Sequence, residues 1–194
     1  MAAPYATRDA LKSRLEIKTA AEDERLDQAL NAASRGIERI AGRHFNRADA
    51  PSTRAVVPLR DRLLVVPDFH TVEGLAVEDT AGQMWDAAGL QLEPLDGVQD
   101  GVEGWPYWRI RSLGGPFPRQ GDRATVRVTA RWGWAAVPAD IVEATLIAAA
   151  ELWKLKDAPL GVTGMADWGM IRVRDNPKVY SLVAAYRRGK KKVS

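Results

Sequence analysis

Seven prolines, Pro51, Pro58, Pro67, Pro94, Pro106, Pro116 and Pro118, cut the centre of the chain into pieces too short for helices. Each removes a backbone donor and clashes with a preceding helical turn, so no continuous helix can run through this region. The runs between them are rich in β-branched and aromatic residues. They predict strands over residues 54–57, 63–66, 72–78, 90–93, 108–111 and 125–132. In the last run Val126, Val128, Ala130 and Trp132 alternate with Arg127, Thr129 and Arg131, which gives one buried and one cationic face. The centre therefore reads as a small sheet or barrel placed between helical ends.

The flanks carry helical periodicity. Thr7 can cap a short helix over 8–15. Thr19 with Glu22 three residues on forms a capping box, and Leu26, Leu30, Ala33, Ile37 and Ile40 make one apolar stripe running to about Arg43. Beyond Gly133, Pro138 suits a first helical turn, and the helix predicted over 139–156 is apolar on most of its circumference, so it is buried on several sides, either centrally in the domain or between subunits. Residues 157–171 then hold Leu160, Val162, Met165, Trp168 and Met170 among Pro159, Gly161, Gly164 and Gly169: an apolar loop, with Trp168 as its interface candidate. The final helix, over 177–188, opens with Asn176 as N-cap and Pro177 at its first position. Val179, Leu182, Val183 and Tyr186 follow on one stripe. These breaks divide the chain at 1–48, 49–132 and 133–194.

The net charge of +3 is unevenly placed. Arg187, Arg188, Lys190, Lys191 and Lys192 carry +5, so residues 1–186, with 23 basic and 25 acidic side chains, carry −2. A basic tail on a near-neutral body points to a local electrostatic contact with partner carboxylates or DNA phosphate, not to a generally basic surface. The same asymmetry argues against base stacking in a basic groove.

Catalytic chemistry finds little support. With no cysteine and only His44 and His70, disulfides, thiolate chemistry and histidine-rich metal clusters are excluded within one chain. Gly114-Gly115-Pro116 cannot serve as a phosphate loop, because Pro116 lacks a donor and no helix follows. No nucleophile elbow is present. Glu73, Glu78, Asp79 and Glu93 read as solvated strand ends rather than metal ligands, and the two histidines as helix-end and turn residues. The prediction is a protein that is not an enzyme and holds neither metal nor cofactor. No signal peptide or membrane span is expected, and the chain is expected in a reducing cytosol.

Arg109 and Arg111 alternate in one predicted strand and Arg127 and Arg131 in another. If those strands pair, four guanidinium groups share a face, which is either solvated and balanced by carboxylates or meets phosphate or an acidic partner subunit. Seven tryptophans against three phenylalanines fit core filling and interfaces alike.

The segment 5–11 (YATRDAL), the helix 27–38 (DQALNAASRGIE), the run 128–134 (VTARWGW) leading to Val137-Pro138 and an Ala-rich helix, and 157–161 (DAPLG) together resemble head-tail connector, or adaptor, proteins of long-tailed bacteriophages and prophages. The likeness is strongest at the helical ends and weakest over 49–104. It implies an α+β fold, in which a small helical bundle from the N- and C-terminal segments carries the inserted β-rich module. It also implies a non-enzymatic homo-oligomeric ring, typically a dodecamer, that docks under the portal protein at the capsid vertex. Such a ring extends the channel for genomic DNA, without sequence specificity, and meets a neck or tail-completion protein. The location implied is the virion, at the capsid-tail junction, with assembly in the host cytoplasm. By position, portal binding would fall to Val179, Leu182, Val183, Tyr186, Arg187, Arg188, Lys190, Lys191 and Lys192. Subunit contacts would fall to Leu160, Val162, Met165, Trp168, Met170, Arg109, Arg111, Arg127 and Arg131. The rivals are a nucleic-acid-binding module using the basic tail and arginine face, and a metal-dependent hydrolase using strand-end carboxylates.

Overall fold

The computed structural model describes residues 2–154 and 176–188. The fold is α+β, with two compact units: Met1–Asn46 with Val137–Ser194, and Arg47–Ala136.

In the first unit α1 spans Arg8–Leu15, α2 Asp23–Ala41, α3 Ala139–Lys154 and α4 Pro177–Ala184. Thr7 caps α1 as its composition predicts, its hydroxyl accepting the Ala10 N–H at 3.2 Å. The capping box expected at Thr19 does not form. Residues 20–23 instead make a turn closed by the Asp23 N–H on the Ala20 carbonyl at 3.1 Å, and α2 begins with Glu22 as an N-cap that gives no side-chain bond. Asp23, released from the cap, pairs with Arg8 at 2.7 Å and Lys12 at 2.6 Å, tying α2 to α1. The stripe Leu26, Leu30, Ala33 and Ile37 is buried as its spacing requires, with Ile40 half-buried at the end. Gly42, at φ +64, supplies the left-handed residue that ends α2.

α3 is buried along Ile141, Ala144, Thr145, Ala148 and Ala149 because α1, α2 and α4 all pack against it. Its small alanines let those neighbours approach closely. Asn176 caps α4, its Oδ1 accepting from the Lys178 and Val179 N–H groups at 2.9 and 3.1 Å. This helix ends at Ala184, short of the expected Arg188, because the chain turns at Ala185 and Tyr186. Arg188 then donates its backbone N–H to the Ala41 carbonyl at 2.8 Å.

In the second unit the strands are β1 Ser52–Val56, β2 Leu63–Phe69, β3 Ala76–Asp79, β4 Met84–Trp85, β5 Leu90–Glu93, β6 Tyr107–Ser112 and β7 Val126–Ala130. They form two antiparallel sheets, ordered β1-β7-β3-β4 and β2-β6-β5. Val56, Leu64, Val66, Phe69, Val77, Ile110, Phe117, Val126, Val128 and Trp132 make the shared core, so the alternation in β7 buries the face it predicted. β2 runs through Pro67, with a register shift between Val65 and Phe69 where the missing donor breaks the ladder. The strand expected over 72–78 is shorter, because residues 72–75 form a turn and pairing starts only at Ala76. β4 has no counterpart in the sequence prediction. It arises from the Asp79 carboxylate, which accepts the Ala81 and Gln83 N–H groups at 2.8 and 2.9 Å and folds the chain back onto β3.

Candidate interaction surfaces

The four strand arginines do not share a face. Arg109 and Arg111 belong to β6 in the three-stranded sheet, whereas Arg127 in β7 and Arg131 just beyond it belong to the four-stranded sheet. The expected pairing across residues 113–124 fails because β6 lies between β2 and β5, and β7 between β1 and β3. Each guanidinium also meets a carboxylate. Glu93 takes Arg111 at 3.0 Å and Arg109 at 3.5 Å, Glu78 takes Arg127 at 3.3 Å, and Glu73 takes Arg131 at 3.2 Å. Three of the four carboxylates weighed as metal ligands, Glu73, Glu78 and Glu93, are thus paired with arginine, and the fourth, Asp79, accepts backbone N–H groups of its own turn. Among the described residues no group of three acidic or histidine side chains is placed to hold a metal ion.

The tryptophans of the second unit are largely accounted for by packing. Trp105 and Trp134 pack at a tilt of 56° with centroids 5.1 Å apart, and Trp134 donates to the buried Asp68 at 3.2 Å. Trp85 packs on Phe117 at 5.0 Å, while Trp132 donates to the Ser52 carbonyl at 2.9 Å and carries the Arg54 guanidinium over its ring at 4.4 Å. Burial there lowers the Arg54 pKa. The His70 pKa is pushed down chiefly by burial and then by the Arg47 charge, and its backbone N–H donates to the Arg131 carbonyl at 3.2 Å.

The C-terminal segment divides sharply. Val179 and Val183 are fully buried in the first unit, which takes their side chains out of reach of any partner docking on α4. Leu182 is half-buried. Tyr186 packs edge-on against Phe45 at 5.9 Å and donates to Asp140 at 3.2 Å, and burial with the nearby carboxylate pushes its phenol up to about 12. Exposed on this segment are Lys178, Tyr180, Ser181 and Arg187, and the Arg187 guanidinium donates to the Tyr180 hydroxyl at 2.6 Å. Lys190, Lys191 and Lys192 lie outside the described residues, as do Leu160, Val162, Met165, Trp168 and Met170.

One surface escaped the sequence prediction. Between β5 and β6 the chain makes a tight turn at 95–97, then a miniature hairpin in which Gln99 and Val102 exchange both backbone hydrogen bonds at 3.0 and 2.9 Å. Its tip is Asp100-Gly101, both at positive φ (52° and 79°), the pair of left-handed residues that a two-residue hairpin turn demands. Leu95 and Val102 are each 59% exposed and Val98 38%. Asp96, Asp100 and Glu103 stand around them, also exposed. The Asp-Gly pair was the available signal, masked by the absence of long flanking strands.

No protein-family model matches the sequence, and no curated protein matches it. Solved structures do. The chain is similar over its full length to a chain of the "Neck of empty GTA particle computed with C6 symmetry", at 22% identity, a TM-score of 0.60 and 96% coverage of that chain. A chain from the "Virion of native gene transfer agent (GTA) particle" matches at 23% identity and TM-score 0.59, with 100% of this chain and 96% of the other covered. A third, from the "Neck of native GTA particle computed with C12 symmetry", matches at 20% identity and TM-score 0.51, covering 100% of this chain and 99% of that one. At such identities the likeness establishes a common fold. No helix among the described residues is long and apolar enough to cross a membrane.

Proposed function

We propose that this chain is a structural protein of the neck of a phage-like particle. In this reading it is a head-tail adaptor that assembles as a ring beneath the portal, extends the channel through which DNA passes, and joins the capsid vertex to the neck or tail. The observation that carries it is the full-length fold match to neck and virion chains of gene transfer agent particles, two of them from necks treated with sixfold and twelvefold symmetry. That likeness agrees with the order of motifs at the helical ends, which resembles the adaptor family independently of the fold.

In this reading no side chain performs chemistry. The nucleic-acid alternative loses its main support, because the strand arginines are engaged by Glu73, Glu78 and Glu93 and would have to give up those partners to grip phosphate. A conduit also works best where phosphate contacts are weak, since strong ones would hold the genome instead of letting it slide. With Val179 and Val183 buried, their side chains drop out of the proposed portal contact, and the exposed Tyr180 carries the portal-facing side of the C-terminal helix.

The test is electron microscopy of the purified protein alone and mixed with portal protein. Rings, free or seated on the portal, are expected. A monomer that stays monomeric and leaves the portal bare overturns the proposal.

A further inference from the structure

The hairpin at 94–104 is an apolar surface whose carboxylates no described side chain pairs. Between residues 63 and 108 the sequence holds nine acidic side chains and neither lysine nor arginine. Most of those acids are engaged: Glu73, Glu78 and Glu93 by arginine, Asp68 by Trp134, and Asp79 and Asp86 by backbone N–H groups of their own turns. Asp96, Asp100 and Glu103 have no ion pair or hydrogen bond to their side chains among the described residues. All three surround the exposed Leu95, Val98 and Val102.

The platform is built to hold its shape. The Trp105 N–H donates to the Gly97 carbonyl at 2.9 Å, and Trp105 is itself buried against Trp134. Gly97, at φ +66, lies so close that a Cβ there would meet the Trp105 carbonyl oxygen at 3.1 Å. A preformed surface loses little conformational entropy when a partner covers it.

The chain also contains the complement. Five of the six residues from Arg187 to Lys192 are basic, Val193 follows them, and the segment departs from α4 beside the exposed Tyr180. It is the densest positive run in the sequence and, like the hairpin, pairs charge with apolar groups.

We propose that the 94–104 hairpin is a docking surface for the basic C-terminal segment, residues 187–194, of a second copy of this chain. Two unlike surfaces on one chain that fit each other generate head-to-tail contacts, which close into a ring when the rotation per copy allows. The inference deepens the ring reading and rests on it: the acidic hairpin and the basic tail are the two halves of one subunit contact. Charge sets register and encounter rate, and the apolar centre supplies the part of the contact that salt does not screen.

The absence of cysteine gives a clean test by cross-linking. Full-length Glu103→Cys and Lys191→Cys proteins are mixed at low ionic strength and oxidised, with Asp122→Cys, an exposed acid outside the hairpin, in place of Glu103→Cys as the control. The expected result is a mixed disulfide dimer at least tenfold above the control, which falls to control level when the Glu103→Cys protein also carries D96N and D100N. Asparagine is chosen because it keeps the left-handed backbone at Asp96 and Asp100. Thermal melts of the variants matching the parent show that lost cross-linking is not lost folding. Cross-linking no better than the control overturns the inference. So does a double Glu103→Cys, Lys191→Cys protein that closes only on itself at all concentrations, which would place the tail on its own chain. Microscopy of the parent with portal protein separates the two claims: rings without the cross-link sink this contact and leave the adaptor reading standing, and the cross-link without rings does the reverse.

Discussion

Glu38 is 8% exposed near the end of α2, and its carboxylate is kept there by three neighbours. Tyr5 donates its hydroxyl to it, Arg35 lies at 2.8 Å and His44 Nδ1 at 3.2 Å. The Tyr5 oxygen in turn accepts the Phe45 N–H at 3.0 Å, while the Tyr5 backbone N–H donates to the buried Ser34 hydroxyl at 3.0 Å. Tyr5 therefore ties the N-terminal segment to the second half of α2 and to the chain just beyond it, and burial with the adjacent Glu38 raises the phenol's pKa. Tyr5→Phe keeps the ring but takes one donor from Glu38 and leaves the buried Phe45 N–H without its acceptor, so it should lower unfolding stability by about 1–3 kcal/mol, read from the urea midpoint. Residue-level features of this kind were legible only when local. Asn176-Pro177 announced its cap because the partners are two and three residues away, whereas the Tyr5–Glu38 bond joins positions 33 apart and leaves no periodic trace.

At the scale of elements, the α1–α2 joint is electrostatic. Lys12 and Arg8 hold the Asp23 carboxyl below its ordinary range, with the bond to Lys12 the larger cause. A depressed acid contributes stability that is fully present above its unfolded pKa, about 3.9, and is lost as pH falls through the folded value. Asp23→Asn should therefore be less stable than the parent at pH 6–7, with the gap closing as pH drops below about 4. Urea midpoints across that range check the sign, and a constant gap would mean that packing, not charge, holds the joint. Helix positions were read well because each buries a stripe with its own period: Leu26, Leu30 and Ile37 fix α2, and the alanine-rich faces fix α3. Strand existence was also legible, β5 to the residue, but strand neighbours were not. Alternation in β6 and β7 says which side is buried and nothing about which strand lies alongside, so the four arginines were brought to one face that the topology splits across two sheets. β4 is invisible in sequence because two residues hold no period, and its cause is the side chain of Asp79.

For the whole molecule, the sequence offered a resemblance and no chemical motif. The order of end motifs resembles neck adaptors, the full-length fold match is to neck and virion chains of gene transfer agent particles, and the acidic hairpin went unread because its Asp-Gly turn lacks long flanking strands. Where the chain enters and leaves the β-rich unit, the Ala48 N–H donates to the Trp132 carbonyl at 2.8 Å, so the two crossing strands run side by side. A fragment covering residues 47–136, with its own core of Phe69, Ile110, Val128 and Trp132, should fold alone and give a dispersed amide spectrum; a collapsed spectrum would show that it needs the helices. Because its two ends leave together, the unit behaves as a cassette. Evolution can swap, enlarge or delete it at a single locus while the helical chassis keeps its packing, which lets such a scaffold change what it displays without changing how it is built.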